Sequence, residues 1–251
     1  KAAASGADAV IMDLEDAVSE ADKPAAHEAL AARPTLRVPL VVRCNGFGSI
    51  WFEKDLEVLA ETPPDMVMLP KAESASHIEA IAQKLGSEMP IIPIIESALG
   101  LGAVEDIMAH PSVLQCAFGH LDFSLDIGAE SHWEALHYAR GRVVLASRLG
   151  NKAPPLDGVS VRFDDENIVA SEARRARDMG FGGKAAIHPK QIAAINKAFT
   201  PTAEDISQAK KIMAAYANAP RGVVVVDGKL VEKPVILKMQ YILAIADAVG
   251  A

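Results

Sequence analysis

The sequence has no run of basic residues, only two cysteines and few aromatics, and each scarcity excludes something. With 25 Lys and Arg against 33 Asp and Glu, the net charge of −8 argues against nucleic acid or an anionic membrane as partner. Cys44 and Cys116 sit inside separate apolar runs and read as buried free thiols of a reducing compartment rather than a disulfide. No apolar stretch approaches the roughly 20 residues of a membrane span. The first residues, Lys1 to Gly6, lack the apolar core of a signal peptide, so a soluble, cytoplasmic protein is expected. No glycine fingerprint of a dinucleotide site follows any early strand, which counts against an open doubly wound sheet.

What is present is a repeat of short β-branched runs and Ala-rich amphipathic stretches. Strands are expected at 9–13, 40–44, 66–69, 91–95, 114–118, 158–161 and 184–187. Most are nearly continuous apolar runs, as strands of a parallel sheet covered on both faces should be. Helices are expected between them, at 24–32, 74–85, 134–149 and 167–179, the last capped by Asp164 or Asp165 and closed by Gly180. Seven strand–helix units are one short of a closed (β/α)₈ barrel, so a first strand is expected ahead of Lys1. Beyond 187 the pattern changes. Helices at 189–199 and 203–218, a hairpin turning at Asp227-Gly228 between 223–226 and 230–231, and a helix at 234–248 follow. The expected division is a barrel over 1–199 and a C-terminal extension over 200–251 that packs on a neighbouring subunit.

In such a barrel, chemistry gathers where strands end. The runs end in Asp13-Leu14-Glu15-Asp16, Arg43-Cys44-Asn45-Gly46, Pro70-Lys71-Ala72-Glu73, Glu96-Ser97, Gly119-His120-Leu121-Asp122 and His188-Pro189. Glu96 and Asp122, on adjacent strand ends, make a candidate Mg²⁺ pair, because Mg²⁺ takes hard oxygen ligands and keeps several waters. The competing role is an ion pair with Arg43 or Lys71. Arg43 suits a substrate carboxylate through its planar fork, or pairs with Glu15 or Asp16. Lys71 as a Schiff-base lysine is disfavoured, since nearby acids keep its amine protonated. His188 serves as a base or as a helix-start residue, and the proline after it suits the second role. His27, His77, His110, His132 and His137 read as surface residues.

Six blocks carry a resemblance: Asp13-Leu14-Glu15-Asp16-Ala17-Val18, Arg43-Cys44-Asn45-Gly46, Leu69-Pro70-Lys71-Ala72-Glu73-Ser74, Ile94-Ile95-Glu96-Ser97, Phe118-Gly119-His120-Leu121-Asp122 and Gly183-Lys184-Ala185-Ala186-Ile187-His188-Pro189. In this order they resemble the citrate lyase β-subunit family. That family groups with the HpcH/HpaI aldolases and the malyl- and citramalyl-CoA lyases in the phosphoenolpyruvate/pyruvate barrel superfamily. The resemblance implies an α/β TIM (β/α)₈ barrel, usually a homotrimer, with Mg²⁺ on Glu96 and Asp122 and with Arg43, Asp16 and Lys71 toward the substrate. The implied reaction is cleavage of a 3-hydroxyacyl thioester, carried on coenzyme A or an acyl carrier protein, into an acyl thioester and a 2-oxo acid. Two departures stand out. The family's opening strand with its Pro-Gly loop is not among these residues. In the block from Asp227 to Pro234, many relatives carry an aspartate that reaches a neighbouring active site, and here Glu232 holds that position. Glu232 is therefore the implied acid/base candidate, one methylene longer. Two alternatives stay open: a class II aldolase acting on a free 2-oxo-acid aldol, and a carrier-dependent subunit of a citrate lyase complex.

Overall fold

The computed structural model describes residues 1–217 and 224–250. Seven parallel strands form one curled sheet in sequence order: β1 (Val10–Asp13), β2 (Leu40–Arg43), β3 (Met66–Leu69), β4 (Ile91–Ile95), β5 (Ala117–Phe118), β6 (Leu156–Asp157) and β7 (Gly183–Lys184). β1 and β7 are its edges, and among the described residues the sheet does not close. The connections carry α1 (Lys23–Ala31), α2 (Phe52–Glu61), α3 (Ala75–Leu85), α4 (Ala98–Gly102), α5 (Val104–Ala109), α6 (His120–Asp126), α7 (His137–Leu149) and α8 (Glu166–Met179). After a short 3₁₀ turn at Pro189–Gln191 come α9 (Ile192–Phe199), α10 (Ala203–Ala217), β8 (Val224–Val226), β9 (Lys229–Val231) and α11 (Lys233–Val249).

The chain divides into two compact units, Lys1–Ile195 and Asn196–Ala251. In the first, Val41, Met68, Ile92, Ile94 and Ala117 pack together with Ala9, Met66 and Leu156 against them, all on one face of the strands. The opposite faces meet the helices, where Leu30, Leu56, Leu59, Ile78, Ile81 and Ile107 are essentially fully buried. Both faces are therefore apolar, which is why the strands read as unbroken hydrophobic runs. In the second unit, Ala209, Ile212, Val226, Val231, Ile236 and Met239 form a separate core. Asp227 and Gly228 take φ of +51° and +74°, as the expected tight hairpin turn requires. Residues 218 and 223, expected in a helix and a strand, lie outside the described residues.

Three strands differ from expectation by more than one residue, each for a local reason. Pro93 has no N–H to give a sheet ladder, yet it lies in a central strand. Between Ile91↔Val113 and Ile94↔Ala117 the ladder advances three residues along β4 but four along the facing segment. The extra residue is a bulge opposite the proline, and regular pairing in β5 starts only at Ala117. β6 is Leu156–Asp157 instead of 158–161, because side chains take the carbonyls beyond it: Lys184 Nζ donates to Gly158 O and Gln191 Nε2 to Ser160 O. β7 ends at Lys184, because the amides of Ile187 and His188 donate to Gln191 Oε1 and not to a strand. α7 begins at His137, three residues after the expected start.

Candidate active site

Strand parity decides which side chains meet at the C-terminal rim. Asp13 and Arg43 are register partners on β1 and β2, so they project to the same side. The Arg43 fork donates from Nε to Asp13 Oδ1 at 2.7 Å and from Nη2 to Oδ2 at 2.5 Å. Its Nη1 lies 3.1 Å from Glu15 Oε2. Glu15 Oε1 accepts from Lys71 Nζ at 3.0 Å, and the Lys71 backbone N–H donates to Glu96 Oε1 at 2.8 Å. A single line of charge thus runs along the rim from Asp13 through Arg43, Glu15 and Lys71 to Glu96. It answers the sequence alternatives for Arg43. Glu15 is one partner, but the bidentate partner is Asp13, which had no expected role, and Asp16 is exposed with no ion pair to Arg43.

The electrostatics follow from burial. Burial works against the Arg43 guanidinium, yet Asp13, Glu15 and Asp16 outweigh it and hold its pKa above the usual value. For Lys71 burial is likewise outweighed by Glu15, so its pKa is held above the usual lysine value, opposite to the lowering that would favour a Schiff-base lysine. Burial raises the Glu15 carboxyl, with Asp16 adding to it, despite Lys71 and Arg43.

Glu96 continues the inward parity of Ile92 and Ile94 one step past β4, and it is 5% exposed. Burial pushes its pKa up to about 8; the Lys71 N–H opposes this, and the nearby charges of Asp122 and Glu15 add to it. Gly119 makes room for it: a Cβ there would lie 2.4 Å from Glu96 Oε2. Asp122 follows in the first turn of α6. Oε1 of Glu96 is occupied, whereas Oε2 accepts no hydrogen bond among the described residues. Among those residues no group of three or more His, Cys, Asp or Glu converges on a common point. A cation here would therefore have two carboxylates from the protein and draw its remaining oxygens from water and ligand. That donor set fits Mg²⁺ and does not fit Zn²⁺.

The loops bearing these groups rest on a buried polar network that the sequence patterns did not reveal. Lys23 Nζ, on α1, donates to Leu14 O and Asn45 Oδ1, both at 2.8 Å. Asn45 donates from its backbone N and from Nδ2 to Asp55 Oδ2 at 2.6 and 2.7 Å, and His27 Nε2 donates to Asp55 Oδ1 at 2.6 Å. His27, expected at the surface, is 7% exposed, because α1 turns it inward against this carboxylate. His77 and His110 are half-buried, and His132 and His137 are exposed as expected. Asp55 is completely buried and accepts three hydrogen bonds, so Asp55→Ala strands three donors. It is expected to cost about 3–5 kcal/mol in urea denaturation. A cleft of about 470 Å³ opens above the network, lined by Glu15, Asp16, Lys23, Asn45, Phe47 and Lys71.

On the far side, Asp157 is bridged by Arg140 Nε at 3.1 Å and Lys184 Nζ at 2.9 Å, and Arg140 stacks over Trp133 at 4.3 Å. Beside them, burial and the Arg140 charge lower the pKa of His120 to about 4, so its imidazole is neutral. His188 caps the 3₁₀ turn, accepting from the Lys190 N–H at 3.1 Å with Pro189 in the first turn, which is the helix-start role. Both cysteines are buried and free. No helix among the described residues is long and apolar enough to cross a membrane.

Known proteins resemble this chain along most of its length. The HpcH/HpaI aldolase/citrate lyase family model matches residues 1–189. A protein named (3S)-malyl-CoA thioesterase from Cereibacter sphaeroides is 35% identical over 266 residues, covering 100% of this chain and 90% of its own. The crystal structure of CitE from Mycobacterium tuberculosis, in complex with magnesium, acetoacetate and coenzyme A, matches at TM-score 0.88. It is 34% identical, covering 98% of this chain and 92% of that one. RipC from Yersinia pestis matches at TM-score 0.75 and 42% identity, over 81% and 94% of the two chains. The chain belongs to the HpcH/HpaI aldolase/citrate lyase family.

Proposed function

We propose that this protein is a Mg²⁺-dependent carbon–carbon lyase that cleaves a 3-hydroxyacyl thioester, citryl, citramalyl or malyl, into an acyl thioester and a 2-oxo acid. The observation that carries this reading is Glu96: a buried carboxylate within the electrostatic reach of Asp122, with one oxygen fixed by a backbone amide and the other accepting no hydrogen bond among the described residues. Bound to these two carboxylates, Mg²⁺ would supply the positive charge that stabilises an alkoxide developing at C3 and then the product carbonyl. The 3-hydroxyl gives up its proton, the C2–C3 bond breaks, C3 becomes the keto carbon of the 2-oxo acid, and C2 departs as a thioester enolate that takes up a proton, so that no proton is gained or lost overall. Arg43, locked by Asp13 and Glu15, has guanidinium hydrogens left over and is assigned to the substrate carboxylate. Its preorganisation avoids loss of side-chain freedom on binding. Asp16 and Lys71 line the cleft and are assigned to shaping the oxo-acid end.

Glu232 is assigned the proton exchange at C2. It precedes α11, is exposed, and makes no side-chain capping bond, so its carboxylate is available. This role implies a homotrimer in which one subunit's Glu232 serves its neighbour, a reading that rests on the family resemblance. The buried, unpaired cysteines support a reducing, cytoplasmic setting.

The test is an assay of citryl-, citramalyl- and malyl-CoA with Mg²⁺ and with EDTA, following both 2-oxo acid and free thiol. Stoichiometric 2-oxo acid that vanishes with EDTA is expected. Free thiol without oxo acid would shift the reading to thioester hydrolysis, the activity named for the Cereibacter relative. No turnover of any thioester by the Mg²⁺-bound protein would overturn the proposal.

A further inference from the structure

Lys71 has φ of +49°, in the left-handed region. Only two other non-glycine residues among those described share a positive φ, Asn151 and Asp227, both in turns and both of types whose short polar side chains tolerate it. Lysine has no such tolerance, so something must hold it there. Its main-chain N–H does so by donating to Glu96 Oε1 at 2.8 Å, while Nζ separately donates to Glu15 Oε1 at 3.0 Å. The next amide, Ala72 N, returns to the sheet and donates to Ile94 O at 3.2 Å. The backbone therefore leaves the ladder for one residue, and that residue's amide lands on the carboxylate.

We infer that Lys71 is a positioning residue that acts through its main chain: its left-handed conformation aims the amide at Glu96 Oε1 and thereby presents Oε2 to a cation beside Asp122. Its ammonium serves Glu15, and through Glu15 the Arg43 fork, so one residue sets both the metal end and the substrate end of the rim. The inference rests on Glu96 as a Mg²⁺ ligand. Partners that orient a ligand in this way typically govern metal affinity by about 10–100-fold.

The experiment compares wild type with Lys71→Gly, Lys71→Met and Lys71→Val. Glycine adopts positive φ freely, methionine keeps the unbranched stem without the charge, and valine resists the left-handed region. Two quantities are read: Mg²⁺ affinity by calorimetry, and hydrogen exchange of the residue 71 amide by NMR in metal-free protein. Glycine and methionine variants are expected to hold Mg²⁺ as tightly as wild type and to keep the amide protected. Valine is expected to weaken Mg²⁺ at least about tenfold and to expose the amide. Equal losses in all three would assign the effect to the ammonium, and no loss in any would show the conformation to be irrelevant; either overturns the inference. Should the valine protein not fold, Glu96→Ala supplies the comparison, since it must also release the amide. A wild type that binds no Mg²⁺ would overturn the metal reading on which the inference rests, whereas Mg²⁺ binding without the expected pattern among the variants would overturn the inference alone.

Discussion

Glu96→Gln is expected to lower Mg²⁺-dependent turnover by at least about a thousandfold, equivalent to roughly 4 kcal/mol of lost transition-state stabilisation, without weakening the metal-free fold. Glutamine keeps an oxygen to accept the Lys71 N–H and the shape that fits against Gly119. What it loses is the charge. In the metal-free protein that charge is unwelcome, since burial, together with Asp122 and Glu15, raises the Glu96 pKa from 4.5 to about 8. A carboxyl raised on folding contributes stability that is fully present below its unfolded pKa and is lost as pH climbs through the folded value. Metal-free wild type should therefore lose stability, by a few kcal/mol, from about pH 5 to pH 9 on account of this group. Glutamine does not titrate, so the variant should melt higher than wild type at pH 9 in EDTA and alike at pH 5. Thermal melts at both pH values, with calorimetric Mg²⁺ titrations, check both halves. A variant that binds Mg²⁺ within threefold of wild type would remove Glu96 from the metal site.

Arg43→Met is expected to damage both stability and catalysis, and the pH dependence separates the two. One guanidinium pairs with both Asp13 and Glu15, so removing it leaves the partly buried Asp13 unpaired and Glu15 with Lys71 alone. A cost of about 2–4 kcal/mol at pH 7 is expected, below the fully buried limit because the side chains keep some exposure to water. Burial alone would raise the Asp13 pKa; the Arg43 hydrogen bond, with the Glu15 and Ala17 amides, reverses this and holds it below 3.8. A depressed carboxyl contributes stability above its unfolded pKa and loses it as pH falls through the folded value. The variant lacks that contribution, so its deficit against wild type should be largest at neutral pH and shrink as pH falls below 3.8. Urea denaturation across that range measures it. Arg43→Lys keeps a charge but not the fork and should fold while losing about a hundredfold in kcat/KM. A deficit independent of pH would mean that Arg43 acts by packing and not by pairing.

Much of this was legible in the chain itself. Runs such as Ile91–Ile95 are apolar at every position because both faces of a parallel sheet are covered, and that alone indicated strand type and order. Polar residues just past such runs marked the rim. Asp227-Gly228 announced its turn because few other pairs accept two successive positive φ values. The strands expected at 114–118 and 184–187 are shorter than that and the one expected at 158–161 lies instead at Leu156–Asp157, because a bulge opposite Pro93 and side chains of Lys184 and Gln191 compete for the backbone bonds. Propensity carries no information about such competitors.

The sequence by itself determined the repeat of strand and helix and the rim where the polar strand ends gather, and it singled out Glu96, Asp122 and Arg43 there as candidates. Only the tertiary structure decided who pairs with whom. Asp13 and Arg43 stand 30 positions apart and meet through strand register. His27 reaches Asp55 because two helices pack side by side over the same strands. Lys71 touches Glu96 through a backbone angle that its side chain would not select. Local preference fixes which face a residue points to; the partner it finds there depends on contacts between distant segments, whose geometry exists only once the sheet has formed.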